Sequence, residues 1–206
     1  LHFSHIKQSI NAGKKVICEK PISFLKKELE ELSNHSKSNN IHGIMQLRLH
    51  PVFKEIETLS NNKVHSKGYI KFITKRDDDY KKSWKVKRDY SGGILFNLGI
   101  HYFDLIIKNF GKPHKIEVND LNDFRSKGKM LFQDLDLDWI FSINDEDLPI
   151  GEKTIREFSI DGKSIDFSQV SNDLHELNYK EIVFNKKFKL SDLIETHMIV
   201  SDIYDI

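Results

Sequence analysis

The spacing of apolar residues changes near residue 64, and this change limits what the chain can fold into. Before it, helical spacing alternates with short continuous apolar runs, which is typical of a parallel α/β layer. The predicted elements are the end of a helix at 3–12, a strand at 15–18, a helix from 25 to about 36, a strand at 41–48 and a short helix at 52–59. Because these elements are few, we expect most of the parallel sheet to lie outside this chain.

After residue 64, strand patterns dominate. Apolar residues at 135, 137, 139, 141 and 143 alternate with mostly polar neighbours, as in a strand with one buried face. Asp161-Gly162 predicts a hairpin. The other predicted elements are a strand at 64–74, a loop at 75–89, a helix ending at Gly111 before Pro113, and two closing helices, one near Asp173 and one with Ser191 as N-cap. The expected fold class is α/β, with a mostly antiparallel sheet and flanking helices in the second region.

The composition excludes several classes of protein. The 32 basic and 31 acidic residues leave a formal net charge of +1 without a basic stripe, so we expect no nucleic-acid partner. Cys18 is the only cysteine, which excludes an internal disulfide and suits a reducing compartment. No apolar stretch approaches the roughly 20 residues of a membrane span. We expect a soluble, cytoplasmic protein without a membrane partner, and the missing initial methionine predicts a fragment.

The segment 91–105, Ser-Gly-Gly-Ile-Leu-Phe-Asn-Leu-Gly-Ile-His-Tyr-Phe-Asp-Leu, predicts a helix that carries chemistry. Asn97, His101 and Asp104 are four and three residues apart, so a helix places them on one face. Gly99 costs about 1 kcal/mol relative to alanine in a helix, which predicts close approach by a ligand or another backbone. His101 alone is better explained as a histidine that Asp104 satisfies. Together with the small residues and the amide, it indicates a ligand-contact face.

A second candidate is Cys18-Glu19-Lys20-Pro21, at the end of a predicted strand. Ligands of open α/β sheets bind beyond the carboxyl ends of strands, and Pro21 restrains Lys20 to an extended conformation. The alternative is a surface turn with a solvated ion pair. Cys18 itself is expected to be a small buried strand residue.

Metal-binding patterns are missing from the sequence. It contains no His-Glu-x-x-His run and no paired Cys-x-x-Cys spacing, so we expect no metal site. Asp134, Asp136 and Asp138 point the same way along one strand. They are expected to form a solvated sheet face, since a strand holds carboxylates in line instead of wrapping them around an ion.

The two candidate segments carry a resemblance to a known family. Gly-Lys-Lys-Val-Ile-Cys-Glu-Lys-Pro from Gly13 and the segment from Gly92 to Leu105 look like the two signature motifs of the glucose-fructose oxidoreductase, inositol dehydrogenase and rhizopine-catabolism (Gfo/Idh/MocA) family. One branch, the UDP-N-acetylglucosaminuronate (UDP-GlcNAcA) 3-dehydrogenases of bacterial O-antigen synthesis, is similar in further segments: 46–51, 76–85, 159–162 and 173–175. The resemblance covers nearly the whole chain.

The resemblance implies a Rossmann domain that binds NAD, followed by an α/β domain that carries substrate. We expect residues 1–43 to be the C-terminal remnant of the Rossmann domain. Residues 44–206 are expected to form the substrate domain, with the closing helix able to pack back on the first domain. No Gly-x-Gly-x-x-Gly follows a strand, so this chain alone should bind NAD weakly or not at all. NADP stays open as cofactor, and a homo-oligomer, dimer or tetramer, is expected through the C-terminal sheet.

The resemblance also implies a catalytic pair, Lys20 and His101. Glu19 and Lys20 would lie beside the nicotinamide, with Gln46 and Arg48 as further cofactor contacts. Oxidation of a secondary alcohol needs a base for the hydroxyl proton, and histidine titrates near neutral pH unaided. We therefore expect His101 to be the base and Lys20 to polarise and orient. The reverse assignment stays open, since burial or a nearby positive charge lowers the pKa of a lysine.

The expected substrate contacts are Arg76, Tyr80, Lys85, Asn97 and His101. An arginine binds a diphosphate or a carboxylate through two parallel hydrogen bonds. Asn97 stands where many relatives carry aspartate, and it can only orient substrate or hydrogen-bond a hydroxyl. The implied function is NAD-dependent oxidation at C3 of a UDP-N-acetylhexuronic acid. A catalytically silent sheet domain for sugar binding or assembly, and a family dehydrogenase acting on a free sugar or inositol, are the alternatives.

Overall fold

The computed structural model of the chain describes residues 1–167 and 173–206. These residues fall into two compact units. The first unit comprises residues 1–51 and 173–205, and the second comprises residues 52–167 and Ile206. Each unit is described below by itself.

The secondary structure alternates in the first part of the chain and is dominated by strands in the second. The helices are α1 His2–Asn11, α2 Lys26–Asn34, α3 Val52–Asn61, α4 Asp78–Lys82, α5 Arg88–Ser91, α6 Ile100–Phe110, α7 Leu174–Asn185 and α8 Leu190–Ile203. The strands are β1 Val16–Cys18, β2 Ile41–Gly43, β3 Ser66–Thr74, β4 Lys115–Leu121, β5 Arg125–Leu131, β6 Leu135–Ser142, β7 Thr154–Ile160 and β8 Lys163–Ser164. A π-helical turn, Leu95–Gly99, leads into α6, and short 3₁₀ turns include Gln46–Leu49 and Trp84–Val86. Among the described residues, no helix combines the length and the apolar character needed to span a membrane.

The first unit is built on a parallel pair of short strands, β1 and β2. Val16 lies beside Ile41, and Cys18 lies beside Gly43. The predicted order of helix, strand and helix is confirmed by α1, β1 and α2. Leu29 of α2, one of the predicted apolar positions, is fully buried.

Helix α8 packs against α2 and β2 within this unit. Three polar contacts accompany the packing: Lys26 Nζ to Asp202 Oδ1 at 2.7 Å, Ser201 Oγ to the carbonyl of Phe24 at 3.1 Å, and the amide of Ile22 to His197 Nε2 at 3.3 Å. The last helix of the chain therefore supports the segment that follows the first strand.

The predicted strand at 41–48 is wrong in its second half. β2 ends at Gly43, and the chain then forms the 3₁₀ turn Gln46–Leu49. The amide of Arg48 donates to the carbonyl of Met45, and the amide of His50 donates to that of Leu47, both at 3.1 Å. Because these amides are satisfied three residues back, this segment needs no neighbouring strand.

The second unit is a six-stranded sheet with the order β4-β5-β6-β3-β7-β8. Only the β3–β6 pair is parallel among these neighbours, which confirms the expected mostly antiparallel sheet. The predicted alternation along β6 is confirmed, because Leu135, Leu137, Trp139 and Phe141 are buried at 0–1% exposure. The predicted hairpin is also confirmed. The turn residues between β7 and β8, Asp161 and Gly162, both have positive φ.

Helix α6 packs on the buried face of this sheet through aromatic side chains. The Phe103 ring meets Trp139 at 5.4 Å and Phe141 at 5.3 Å between centroids, both edge to face. Such pairs contribute about 0.5–1.5 kcal/mol beyond the area they bury. The helix that carries His101 is therefore fixed to β6.

Two further predictions need correction. The region 75–89, predicted as a loop, contains α4, a 3₁₀ turn and the start of α5. Asp77 and Ser83 cap these short helices, because their side chains accept from the amides of Tyr80 and Lys85. Ser191 is not an N-cap, since α8 already begins at Leu190.

We predict that Gly128→Ala destabilises the second unit. A Cβ there would collide with the carbonyl oxygen of Glu117 and the ring of Trp139, and the backbone cannot yield cheaply. The free energy of unfolding, measured in urea, should fall by about 1–3 kcal/mol. Lys127→Ala, at the exposed neighbouring position, should change it by less than about 0.5 kcal/mol. Equal stability of the two variants would contradict this prediction.

Candidate functional site

In the first unit, Glu19 and Lys20 directly follow β1, as expected for ligand-binding residues of an open α/β sheet. The Lys20–Pro21 peptide bond is cis. Burial lowers the pKa of Lys20, and the carboxylate of Glu19 opposes that shift. The lysine is therefore partly removed from water, close to the carboxyl end of β1.

Cys18, the last residue of β1, is a packing residue, as predicted. Its side chain is 7% exposed, and burial, with Glu19 adding to it, raises the pKa of the thiol to about 12. The Sγ donates to the carbonyl of Glu19 at 3.1 Å. A thiol with so high a pKa is a poor nucleophile at neutral pH.

The side chains of Glu19 and Gln46 meet the same imidazole. His175, the second residue of α7, has Nε2 3.3 Å from Gln46 Nε2 and Nδ1 3.8 Å from Glu19 Oε1. Gln46 Oε1 is buried and has no hydrogen-bond partner among the described residues. The sequence analysis named Gln46 and Glu19 but missed His175, since its contacts join positions far apart in the chain.

Arg48, like Gln46, is held by a residue from the C-terminal part of the chain. Its Nη2 donates to the carbonyl oxygen of Asp192, in the first turn of α8, at 2.8 Å. Gln46 and Arg48 share one 3₁₀ turn, and α7 packs against that turn. The four predicted cofactor-side residues, Glu19, Lys20, Gln46 and Arg48, therefore all lie after the two parallel strands of the first unit.

In the second unit, the glycine pair opens the helix that carries His101. Gly92 and Gly93 have φ of 82° and 71°, which other residues rarely adopt, so the pair turns the chain between α5 and the π turn. Asn97 lies in the π turn and His101 lies near the start of α6, and both are half-buried. Asp104 is only 1% exposed, so the open part of the predicted polar face consists of Asn97 and His101. A π turn inside a helix is frequent at functional sites.

The amide of Asn97 ties the π turn to the preceding loop. Its Nδ2 donates to the carbonyl of Lys85 at 2.5 Å and to Ser91 Oγ at 3.3 Å. Ser91 Oγ itself donates to the carbonyl of Lys85 at 2.7 Å. Asn97 therefore has a structural role that the sequence analysis did not foresee, and its contact with substrate stays a prediction.

Arg76, Tyr80 and Lys85 form one cluster. The Arg76 guanidinium lies 5.0 Å and the Lys85 ammonium 5.7 Å from the centroid of the Tyr80 ring. Arg76 Nε is buried and makes no hydrogen bond within the described residues. A small, partly open pocket is lined by Tyr80 and Asn97 among others. The cluster holds two cations beside a small cavity, an arrangement suited to an anionic group.

The expectation that Gly99 marks close approach by a ligand or a backbone is wrong. A Cβ at Gly99 would lie 2.9 Å from the ring of Phe141 and 3.1 Å from that of Phe103. The glycine is needed because two buried aromatic side chains pack against the helix there. Its helix-interior cost is therefore offset by packing within the fold.

Candidate metal ligands do not converge in the described part of the chain: residues 1–167 and 173–206 contain no group of three or more His, Cys, Asp or Glu side chains that could hold an ion. Asp136 instead pairs with His65 at 3.2 Å, and Asp138 with Lys129 at 3.6 Å. These contacts are those of a polar sheet face.

The comparisons with known proteins identify the two units. The NAD-binding Rossmann fold of an oxidoreductase family matches residues 1–45, and the C-terminal alpha/beta domain of the same family matches residues 62–123. The chain belongs to the Gfo/Idh/MocA family of oxidoreductases. The cofactor prediction, NAD, is confirmed by the domain that residues 1–45 match. The recognised family and the fold class are confirmed as well.

Solved structures of dehydrogenases resemble the chain along most of its length. The WlbA (WbpB) dehydrogenase from Thermus thermophilus, in complex with NAD and UDP-GlcNAcA, is 26% identical with a TM-score of 0.88, and the match covers 98% of this chain and 68% of that one. The same dehydrogenase in complex with NAD and alpha-ketoglutarate gives 27% identity and the same TM-score.

Curated relatives match a shorter part. The oxidoreductase YrbE of Bacillus subtilis is 32% identical over 110 residues, which are 51% of this chain and 31% of YrbE. The NADP-dependent scyllo-inositol 2-dehydrogenase IolW of the same organism is 27% identical over 126 residues, 58% of this chain and 34% of IolW. The matched part thus spans about a third of the length of these curated relatives.

We predict that Lys20→Met stabilises the fold at neutral pH. Because burial lowers the pKa of Lys20, the unfolded chain keeps this proton to higher pH than the folded protein. The wild type should therefore gain stability relative to the variant as the pH rises from the lowered folded pKa towards the ordinary value of 10.5. Urea unfolding of the wild type and the variant, at neutral pH and near pH 10 under otherwise identical conditions, measures this change in stability. A difference in stability that does not depend on pH would contradict the prediction.

We predict that Asn97→Asp destabilises the second unit. The substitution replaces the donating Nδ2 with a carboxylate oxygen that faces the carbonyl of Lys85. The free energy of unfolding should fall by about 1–3 kcal/mol, and Asn97→Ala, which adds no charge, should cost less. Thermal unfolding of both variants is the measurement, and a more stable aspartate variant would overturn the assigned role.

Proposed function

We propose that the complete protein oxidises the C3 hydroxyl of a UDP-linked N-acetylhexuronic acid with NAD as hydride acceptor. The similarity to the Thermus thermophilus WlbA dehydrogenase in complex with NAD and UDP-GlcNAcA, along 98% of this chain, carries the proposal. Two features of the chain support it independently. Lys20 follows the first parallel strand with a lowered pKa, and a half-buried histidine, His101, lies beyond a π turn.

Lys20 and His101 supply the proton chemistry in this proposal. The imidazole of His101 accepts the hydroxyl proton of the substrate, while the Lys20 ammonium donates a hydrogen bond to the same oxygen and orients it. NAD, when bound, takes the hydride from the carbon. The lowered pKa of Lys20 also supports the reverse assignment, in which the neutral amine is the base.

The cation cluster supports an anionic substrate. Arg76 and Lys85 both lie beside Tyr80, and the buried Nε of Arg76 makes no hydrogen bond within the described residues. A carboxylate or diphosphate would satisfy such a guanidinium. We propose that this cluster binds the anionic part of the sugar nucleotide, with Asn97 holding the loop that presents Lys85.

The same proposal includes three further features that the resemblance to the family branch implies. They are a division near residue 43 between a Rossmann remnant and a substrate domain, a cytoplasmic role in O-antigen synthesis, and a dimer or tetramer formed through the C-terminal sheet. The separate matches at 1–45 and 62–123 support the division. The sheet face that carries Tyr69, Lys127 and Asp138 is exposed, which supports a role in assembly.

Oxidation of a free polyol is the second candidate function. The similarity to scyllo-inositol 2-dehydrogenases that use NADP favours it. It differs from the first proposal in the charge of the substrate. A polyol has no anionic group for Arg76 and Lys85, so turnover of the polyol should not depend on these two cations.

We predict that the protein expressed from its complete gene reduces NAD in the presence of UDP-GlcNAcA. Lys20→Ala or His101→Ala should lower kcat by about 10²–10⁴-fold, because each removes a group that handles the hydroxyl proton. His114→Ala, an exposed histidine of the second unit, is the control and should keep full activity. Absorbance at the NADH band measures the rate.

The same assay separates the alternatives. Turnover of scyllo-inositol with NADP and none of UDP-GlcNAcA would favour the polyol dehydrogenase. Absence of turnover with every UDP-sugar and polyol would favour a silent binding domain. Unchanged kcat in both the Lys20 and His101 variants would refute the catalytic pair.

A further inference from the structure

The contacts of His175 join the ends of the two parallel strands of the first unit. Glu19 follows β1 and Gln46 follows β2, and one imidazole meets both side chains. The Asp173-Leu174-His175 segment was noted in the sequence only as part of the resemblance. Neither the proposed reaction nor the comparisons give His175 a role.

Each ring nitrogen of His175 makes one of the two contacts. Gln46 presents its amide nitrogen to Nε2, so Nε2 is the acceptor and the ring proton lies on Nδ1. Nδ1 faces the Glu19 carboxylate at 3.8 Å, a distance too long for a direct hydrogen bond. The contact with Gln46, at 3.3 Å, is therefore the one that orients a side chain.

The observed orientation of the Gln46 amide costs free energy unless His175 is there to accept a hydrogen bond from it. Its Oε1 is buried and has no hydrogen-bond partner among the described residues, so the amide has a reason to rotate or withdraw. His175 opposes this by accepting from Nε2. The imidazole stands on α7, which packs against the 3₁₀ turn of Gln46, so the acceptor is held by a helix and not by a loop.

We propose that His175 is a positioning residue for NAD, which holds Gln46, and more weakly Glu19, in the orientation that receives the nicotinamide end of the cofactor. This inference rests on the proposed function, because it takes Glu19 and Gln46 as cofactor contacts. His175 acts through these side chains and touches no reacting atom. Its loss should weaken NAD binding and leave the chemical step intact.

Three substitutions in the protein expressed from its complete gene test the proposal. His175→Ala removes both contacts, His175→Gln brings an amide near the place of Nε2, and His175→Asn brings one near the place of Nδ1. Lys180→Ala is the control on the same helix, since Lys180 is exposed and its ammonium pairs with Glu176 one turn earlier. Calorimetry gives the Kd for NAD, and initial rates give kcat and the KM for UDP-GlcNAcA.

We expect the Kd for NAD to rise about five- to tenfold in His175→Ala and His175→Asn, the effect of one lost hydrogen bond. His175→Gln should stay within about twofold of wild type, and kcat at saturating NAD and the KM for UDP-GlcNAcA should be unchanged in all variants. The Gln and Asn variants are both polar, so their difference decides the question even where His175→Ala fails to fold.

Either of two Kd results would overturn the inference alone. One is a wild-type Kd for NAD in His175→Ala, and the other is equal weakening in His175→Gln and His175→Asn, which indicates a general structural role. A wild-type protein that binds no NAD overturns the proposed function and this inference together. A lowered kcat in His175→Gln with normal NAD binding would make His175 part of the chemistry and would also refute the positioning role.

Discussion

The aromatic side chains of β6 determine how closely the rest of the second unit can pack. Trp139 occupies the space beside Gly128 on the neighbouring strand, and Phe141 occupies the space beside Gly99 at the start of the helix. Phe103 of α6 closes the group by meeting both rings edge to face. Since interiors are packed as densely as organic crystals, these contacts leave α6 little freedom to slide or rotate. His101 is therefore held by an apolar anchor two residues further along its own helix.

In the first unit, polar contacts from the C-terminal helices α7 and α8 hold the predicted cofactor contacts in place. The 3₁₀ turn that carries Gln46 and Arg48 is too short to hold its own orientation. His175 of α7 and the carbonyl of Asp192 in α8 fix its two polar side chains from outside. A change in the C-terminal helices therefore reaches the predicted cofactor contacts without touching the cofactor.

Much of the fold followed from the sequence because its signals are local. The helical spacing of Leu29, the alternation along β6 and the Asp161-Gly162 turn each depend on a few neighbouring residues, and each was confirmed. The errors have two different causes. The strand predicted at 41–48 ends at Gly43 because the amides of Arg48 and His50 find acceptors three residues back. The role of Gly99 depends on a distant residue, since the ring of Phe141, about forty positions away, packs against it.

The candidate site was predicted as residue types but not as contacts. Lys20 was named from a strand end, Asn97 from helical spacing and Arg76 from the resemblance. The hydrogen bond from Asn97 to Lys85 and the cation pair around Tyr80 depend instead on the fold of the 75–91 region. Residues 75–89 of that region were predicted as a loop, so no spacing rule could bring those side chains together. The contact of His175 with Gln46 spans 129 positions and has no local signal.

Several of the energetic costs that the fold leaves uncompensated lie at the predicted ligand contacts. Burial destabilises the charged form of Lys20, and two buried polar atoms, Gln46 Oε1 and Arg76 Nε, have no hydrogen-bond partner within the described residues. Each such atom costs about 1–3 kcal/mol in a folded protein. Selection for stability alone would remove these costs, whereas a site that binds ligand can recover them when the ligand supplies the partner. The amide of Asn178, also buried without a partner there, lies one turn beyond His175 on α7, so it belongs to the same helix that packs against the turn of Gln46.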